Sequence, residues 1–478
     1  MKNIKYLAVI LLIFCITFTA CGGNNGSANE TKKTVETEAP EETQAIYSEF
    51  PNVRMDGRVF TVLMPEYFIE RYVFNIDEET GEPLNDSAYR RNIEIEEKFD
   101  VVIRARGVAS SNCYTELSKL VQSGDDSIDL VLPHPSVGAY TSSMTDGHLL
   151  NWYDLKYVDF SKPCWNTDMQ TALIIAGKSF YANGDMAITG QSLAAFIFNK
   201  TMAEDLGVQG DPYKFVLNGT WTVDKLIAFT KDVYIDVNGD GVQDGKDTYG
   251  YIADGCEDSL LYSCGVKVAQ INSEGKPELC FISERLSTIM DKAYDLLYSE
   301  GAYRKYSART AWGHFTNGGG LVSSWDIGNY WALLRDIEFD IGILPYPKLE
   351  EIQDSYPCIT TAGLVGVPIT VKDPDNASII IQALMEGSHK YVRPAFIDTV
   401  LYNKCLRDEE STQIMEMMLN SFVYDFGFTF DLDRKLSTII TSLVTTKGST
   451  DFASYYEQYK DKVQIGFDNI YEAIIGLE

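Results

Sequence analysis

The chain has 478 residues, with 69 Asp and Glu against 40 Lys and Arg, a formal net charge of −29. That balance repels nucleic acid and anionic lipid over most of a surface, so no nucleic-acid partner is expected. The length exceeds one ordinary domain and predicts two lobes; no internal repeat is visible.

Residues 1–20 have a short basic start (Lys2, Lys5), an apolar run over 6–18 and small residues before Cys21, the layout of a secretory signal. The apolar run is too short to span a bilayer comfortably. "FTAC" resembles a bacterial lipobox, with Phe18 where that pattern prefers Leu, and marks Cys21 for lipidation. The following "GGNNGSANETKKTVETEAPEETQ" has almost no apolar side chain and reads as a flexible stalk, 21–53. The rest, from about residue 54, holds no run long enough to be a transmembrane helix and is expected to be soluble. Of nine cysteines, Cys15 lies in the signal and Cys21 at the anchor. Cys113, Cys164, Cys256, Cys264, Cys280, Cys358 and Cys405 show no CxxC spacing, so mostly free, buried thiols are expected, with a Cys256–Cys264 bridge left open.

Along the body, "RVFTVLM" predicts a strand, "NDSAYRRNIEIEEKF" a helix, "DVVIRA" a strand, "CYTELSKLVQSG" a helix and "IDLVLP" a strand. Alternation of this kind builds a parallel sheet with helices on its faces, and ligands then bind beyond the carboxyl ends of the strands. Residues 65–68 and 134–136 are candidates on that ground. "SFYANGDMAI" and "AAFIFNK" read as strands, "MAEDLG" and "TWTVDKLIAFTKDV" as helices, "TYGYIA" as a strand and 283–298 as a helix. "GLVSSW" and "FDIGILPYPK" read as strands around a helical "IGNYWALLRD". "TAGLVGVPIT" and "NASIIIQALMEGSHKYV" add a strand and a helix, and the tail from Ser411 is mostly helical.

Between the "TW" helix and "TYGYIA" lies "DVNGDGVQDGKD". Its Asp236, Asn238, Asp240, Val242, Asp244 and Asp247 fall at positions 1, 3, 5, 7, 9 and 12 of an EF-hand-like loop, with Gly241 at the turn. Oxygen donors at that spacing suit calcium, although Asp247 stands where an EF-hand carries Glu. The alternative is a polar Gly/Asp turn without metal. A single loop lacks the paired partner through which calcium sensors act, so a structural role for calcium is expected.

Several stretches resemble, in one order, the family 1 extracellular solute-binding proteins, the maltose-binding-like lipoproteins of ABC importers. "DLVLPHPSVGAYTSSMTDGHLLNWYDL" looks like that family's strand, helix and "G-x-L-x-D-L" turn. "GKSFYANGDMAITGQSLAAFIFNKTMAEDLG" looks like its crossing segment ending in "YNK", with Phe198 replacing Tyr. "GTWTVDKLIAFTKDV", "FTNGGGLVSSWDIGNYW" with "FDIGILPYPK", and "TAGLVGVPI" are similar to later family segments, so that the resemblance covers 58 to about 392. It implies an α/β, two-lobed periplasmic-binding-protein-like fold (type II) with a hinge and crossings near 185–195 and 344–358. The expected division is 54–186 with 356–395 in lobe 1, 187–355 in lobe 2, and 396–478 as C-terminal helices packing on lobe 2. The implied protein is a monomeric receptor, lipid-anchored on the extracellular face of the cell membrane, that captures a carbohydrate, expected to be an oligosaccharide, for an ABC permease.

A sugar cleft needs flat rings and hydrogen-bonding edges. Trp325 matches the family's cleft tryptophan, with Asp326 beside it; the other reading of Trp325 is a core residue. His134 and Ser136 follow a predicted strand end, and Tyr67, Trp165 and Asp185 complete the set. Trp152 and Trp221 read as structural. The rival class is a surface-anchored glycoside hydrolase with a calcium-stabilised loop, since paired carboxylates are easily found among so many acids. GxSxG, HExxH and a P-loop are absent from the sequence, and His134, His148, His314 and His389 lack ligand spacing. The expectation is therefore a binding protein and not an enzyme.

Overall fold

The computed structural model describes residues 48–135, 138–188, 192–304, 308–326, 337–360, 363–398, 408–431 and 433–477. The signal, Cys21 and most of the stalk, Ser136, the expected "IGNYWALLRD" helix, Cys405 and the side chains of Trp325 and Asp326 lie outside the described residues.

The first sheet has three strands in the order β2-β1-β3: β1 Arg58–Pro65, β2 Val101–Val108 and β3 Leu130–Val131. All pair in parallel, β1 running alongside β2 from Arg58↔Val101 to Pro65↔Val108. Val62, Leu63 and Met64 in β1 are fully buried. A central strand covered on both faces needs such a continuous apolar run. The crossover from β1 to β2 carries the helix Pro83–Phe99, which begins with Pro at its first position and stops where Asp100 turns left-handed, φ 54°.

The second sheet has six strands. Along β11-β4-β10-β6-β5 these are Ile341–Leu344, Ala194–Asn199, Gly320–Asp326, Thr248–Ile252 and Tyr234–Ile235, with β9 Ala302–Tyr303 also paired to β6. β4 runs antiparallel to both β10 and β11, while β6 is parallel to β10 and β9. Gly250 in β6 permits the helix Val223–Thr230 to close on the sheet, because a Cβ there would lie 1.9 Å from the Thr230 carbonyl oxygen.

Two short sheets complete the strands: the hairpin β7 Ala269–Ile271 with β8 Pro277–Leu279, and the parallel pair β12 Cys358–Ile359 with β13 Phe422–Val423. Two passes of chain connect the large sheets and run antiparallel, bridged at Ala182↔Val365 and Leu193↔Thr360. The second pass therefore lies later than the expected 344–358. "SFYANGDMAI" and "TAGLVGVPIT" form no regular strand; they make single bridges, and 185–187 closes into a 3-10 turn. Gly184 sets this geometry, since a Cβ at that point would lie 2.4 Å from the Cys164 carbonyl oxygen.

The helix Pro374–Gly387 is buried along nearly its whole length and continues as a π-helical turn, Ser388–Val392. Its buried Glu386 accepts from the Ser48 backbone N–H at 2.8 Å and from Gln382 Nε2 at 2.8 Å. A second π-turn, Ile440–Thr445, precedes the terminal helix Phe452–Ile475. Gln464 on that helix bonds Leu279 N–H and the Pro277 carbonyl in the β7–β8 hairpin. The same helix contacts the helix Ala139–Thr145, which follows β3. Cys113, Cys164, Cys264 and Cys358 are buried free thiols, so the Cys256–Cys264 bridge left open in the sequence is not formed. No helix among the described residues is long and apolar enough to cross a membrane.

Candidate functional site

The end of β1 places the first wall. Pro65 stops the strand and the helix Glu66–Arg71 begins at once, so Tyr67 and Arg71, four residues apart, share a face. Phe68 packs inward at 2 % exposure while Tyr67 stays 47 % exposed. His134, just beyond β3, lies with its ring 6.2 Å from that of Tyr67 and stacked at 5.9 Å on Phe68. Burial first, then the charges of Arg71 and Arg434, push the His134 pKa down, so its imidazole is neutral at pH 7 and can both donate and accept. Burial likewise raises the Tyr67 phenol.

Arg71 Nη2 donates to Ser192 Oγ at 3.1 Å, joining this wall to the segment that leads into β4. Ser192 lines a cavity of about 290 Å³ together with Ala194, Gly255, Asp258, Arg434 and Thr438. The end of β6 shapes its floor through Gly255, whose φ of 96° favours glycine. Asp258 Oδ1 accepts the Ile440 and Thr441 N–H groups at 2.8 and 3.2 Å, holding the π-turn Ile440–Thr445. Arg434, also left-handed at φ 48°, lies with its guanidinium 4.9 Å from the Phe428 ring centre. The register of β10 on β4 sets Trp325 opposite Ala195 and Asp326 opposite the cavity-lining Ala194.

Tyr67 and His134 are thus brought together beyond the ends of β1 and β3. Trp165 and Asp185 go elsewhere, to a separate cavity of about 120 Å³. Trp165 is 5 % exposed, gives its indole N–H to Gln382 at 2.9 Å and packs edge-on to Trp152. The Asp185 carboxylate meets His389 Nδ1 at 2.5 Å and Arg393 Nε at 3.7 Å, so it is committed to the π-turn Ser388–Val392. In this arrangement both are engaged by these contacts and stand apart from the Tyr67–His134 wall. Trp152 and Trp221 are fully buried.

Arg71, Ser192, Asp258, Arg434 and Thr438 escape a sequence reading. Arg71 had a usable signal, one helical turn beyond Tyr67. The others come from distant segments that only the tertiary fold assembles.

The loop 236–247 is built from short polar turns. Asp236 accepts the Gly239 and Gly241 N–H groups at 2.7 and 2.8 Å, and both glycines are left-handed, φ 71° and 70°. Asp240 accepts the Val242 N–H at 2.8 Å and the Asn238 amide at 2.8 Å, and Asp244 pairs with Lys246 at 3.2 Å. Asp247 is fully buried and takes the Val237 and Asp244 N–H groups at 3.2 Å each, with the Tyr234 hydroxyl at 3.2 Å. Among the described residues no three His, Cys, Asp or Glu side chains converge as a metal cluster. The donor types fit a hard cation; the carboxylates here are occupied by the loop's own N–H groups.

Sheets of this order with two antiparallel passes between them define an α/β fold of the periplasmic-binding-protein-like class. No protein-family model and no curated protein matches the chain. Solved structures do. An ABC substrate-binding protein from Listeria monocytogenes in complex with cycloalternan aligns at 13 % identity over 88 % of this chain and 100 % of its own, TM-score 0.53. A maltose/maltodextrin-binding domain from Bdellovibrio bacteriovorus bound to maltotriose aligns at 12 %, covering 87 % and 99 %, TM-score 0.52. Apo RafE from Streptococcus pneumoniae aligns at 13 %, covering 88 % and 98 %, TM-score 0.54. The chain shares the fold of these binding proteins.

Proposed function

We propose that the protein is a receptor that captures a carbohydrate at the strand ends around Tyr67 and His134 and delivers it to an ABC importer. One observation carries this reading: a half-exposed phenol ring and a neutral imidazole meet beyond the ends of β1 and β3, and Arg71 of the same wall bonds Ser192, which lines a cavity, on a fold whose solved neighbours hold cycloalternan and maltotriose. An aromatic face suits sugar C–H groups, and the polar atoms suit hydroxyls. Trp325 and Asp326 at the end of β10, and Ser136 beside His134, are proposed to complete the cleft. No catalysis is proposed. The neighbouring acids Asp254 and Glu257 beyond β6 are 3 % and 0 % exposed and do not line the cavity.

A thermal-shift screen of mono- and oligosaccharides tests the reading. A ligand at about 100 times its Kd should add roughly 2.7 kcal/mol, and Tyr67→Ala should weaken that ligand without lowering the melting temperature of the free protein. Turnover of any glycan in the same wells would replace this reading with the hydrolase one.

Two features accompany the proposal. A lipid anchor at Cys21 would hold a monomer on the outer face of the membrane; Cys21→Ser should release it from the membrane fraction, and retention after normal cleavage would end the idea. Calcium would staple 236–247, which the oxygen donors and left-handed glycines support, at a Kd of about 10⁻⁴–10⁻³ M. Chelation should lower the melting temperature and leave sugar affinity unchanged, and Asp240→Ala should remove the chelator's effect. A melting temperature indifferent to millimolar calcium would leave only a polar turn.

A further inference from the structure

The cavity beside Ser192 holds a charge that the protein does not itself neutralise at contact distance. Arg434 makes no ion pair and no side-chain hydrogen bond among the described residues, and its Nε is buried without a partner. A guanidinium stays charged at any physiological pH and carries several donors in a planar fork. Lining a cavity with its Nε buried and unpartnered, it is costly unless something negative meets it. Asp258 acts on Arg434 only from beyond ion-pair distance and has given Oδ1 to the Ile440 and Thr441 N–H groups. Asp431, on the same segment, accepts the Asp433 N–H through Oδ1, leaving Oδ2 buried and unpartnered. Arg71 donates to the cavity-lining Ser192, and both arginines act on His134. One cationic side chain therefore lines the cavity and a second is bonded to its wall at Ser192, in a chain of net charge −29, against the general field of the molecule. The left-handed backbone of Arg434 is a further mark, since non-glycine residues so held cluster at ligand sites.

We propose that the captured solute is an acidic sugar, its carboxylate received by Arg434 and Thr438, with Arg71 holding Ser192 in the cavity wall. This rests on the carbohydrate reading above and narrows it. A planar carboxylate matches the guanidinium fork through two parallel hydrogen bonds, which a hydroxyl of a neutral sugar cannot reproduce.

The test is calorimetric titration of the full chain with oligosaccharides ending in glucuronate, galacturonate or mannuronate. Each is run beside its carboxyl-reduced neutral counterpart and a sulfate ester of that counterpart. One uronate should bind at least about tenfold tighter than its neutral partner, and the preference should shrink with added salt. Arg434→Gln should erase the preference while melting at the temperature of the parent, and Arg434→Lys should retain part of it. Equal binding of acid and neutral sugar, or a preference that survives Arg434→Gln, overturns the assignment and leaves the carbohydrate reading standing. A sulfate ester bound as tightly as the uronate overturns the carboxylate in favour of a general anion. Binding of no carbohydrate of either kind overturns the broader reading, and this one falls with it.

Discussion

Trp221→Ala should lower the free energy of unfolding by about 3–5 kcal/mol, the cost of emptying a large aromatic site in a packed interior. Trp221 is fully buried at the start of the helix Val223–Thr230. Its indole N–H donates to the Pro345 carbonyl at 2.9 Å, just past β11, its backbone N–H donates to the Tyr356 hydroxyl at 3.1 Å, and its carbonyl accepts from Lys348 N–H at 3.1 Å. One residue thus ties the helix, the end of an edge strand and the approach to β12. Truncation leaves the Pro345 carbonyl without its donor, which by itself costs about 1–3 kcal/mol. Trp221→Phe keeps most of the ring and should lose mainly that bond. Urea unfolding checks both: the midpoint should fall in the order Phe, then Ala, with the slope unchanged. A loss under about 1 kcal/mol for the alanine variant would show that the site collapses around the missing ring.

Trp221 was readable as structural because the "TW" pattern puts it at a helix start, where an apolar residue must pack inward. The strands β1, β4 and β10 were readable for a related reason: a strand covered on both faces leaves a run of apolar residues that few other elements produce. The same logic failed on "SFYANGDMAI". Burial there comes from Gly184 pressing against the Cys164 carbonyl and from Asp185 turning toward His389, and neither leaves a periodic trace. The π-turns Ser388–Val392 and Ile440–Thr445 were read as plain helix, since an i→i+5 bond has no composition of its own. In the site, Tyr67 and His134 followed from a rule about strand ends. Arg434 did not, because it reaches the cavity from a tail far along the chain from β3, through a left-handed backbone that Arg seldom adopts.

Stability should fall as pH rises from about 6 to 9, and Glu257→Gln should flatten that slope. Glu257 is fully buried at the end of β6 beside the equally enclosed Asp254. Its Oε1 accepts the Asp254 N–H at 3.1 Å and the Tyr251 hydroxyl at 3.4 Å, while its Oε2 and Asp254 Oδ2 have no hydrogen-bond partner among the described residues. Burial, then the neighbouring Asp254 charge, pushes the Glu257 pKa up to about 8. Burial also raises Asp129, Asp258 and Asp425 to about 6. A carboxyl whose folded pKa lies above its unfolded value binds more protons in the native state. Its contribution is complete below the unfolded pKa, near 4.5 for Glu257, and is lost as pH rises through the folded one. The three aspartates lose theirs by about pH 6 to 7, so the slope between about pH 7 and 9 belongs chiefly to Glu257 and its partner. A glutamine side chain at this position would keep the carbonyl acceptor for the Asp254 N–H and cannot ionise. At about pH 8.5 Glu257→Gln should therefore be more stable than the parent by on the order of 2 kcal/mol, with the gap closing toward about pH 5. Denaturant midpoints at about pH 5, 7 and 8.5 measure this directly, and parallel pH profiles for the two proteins would mean that Glu257 titrates in the ordinary range.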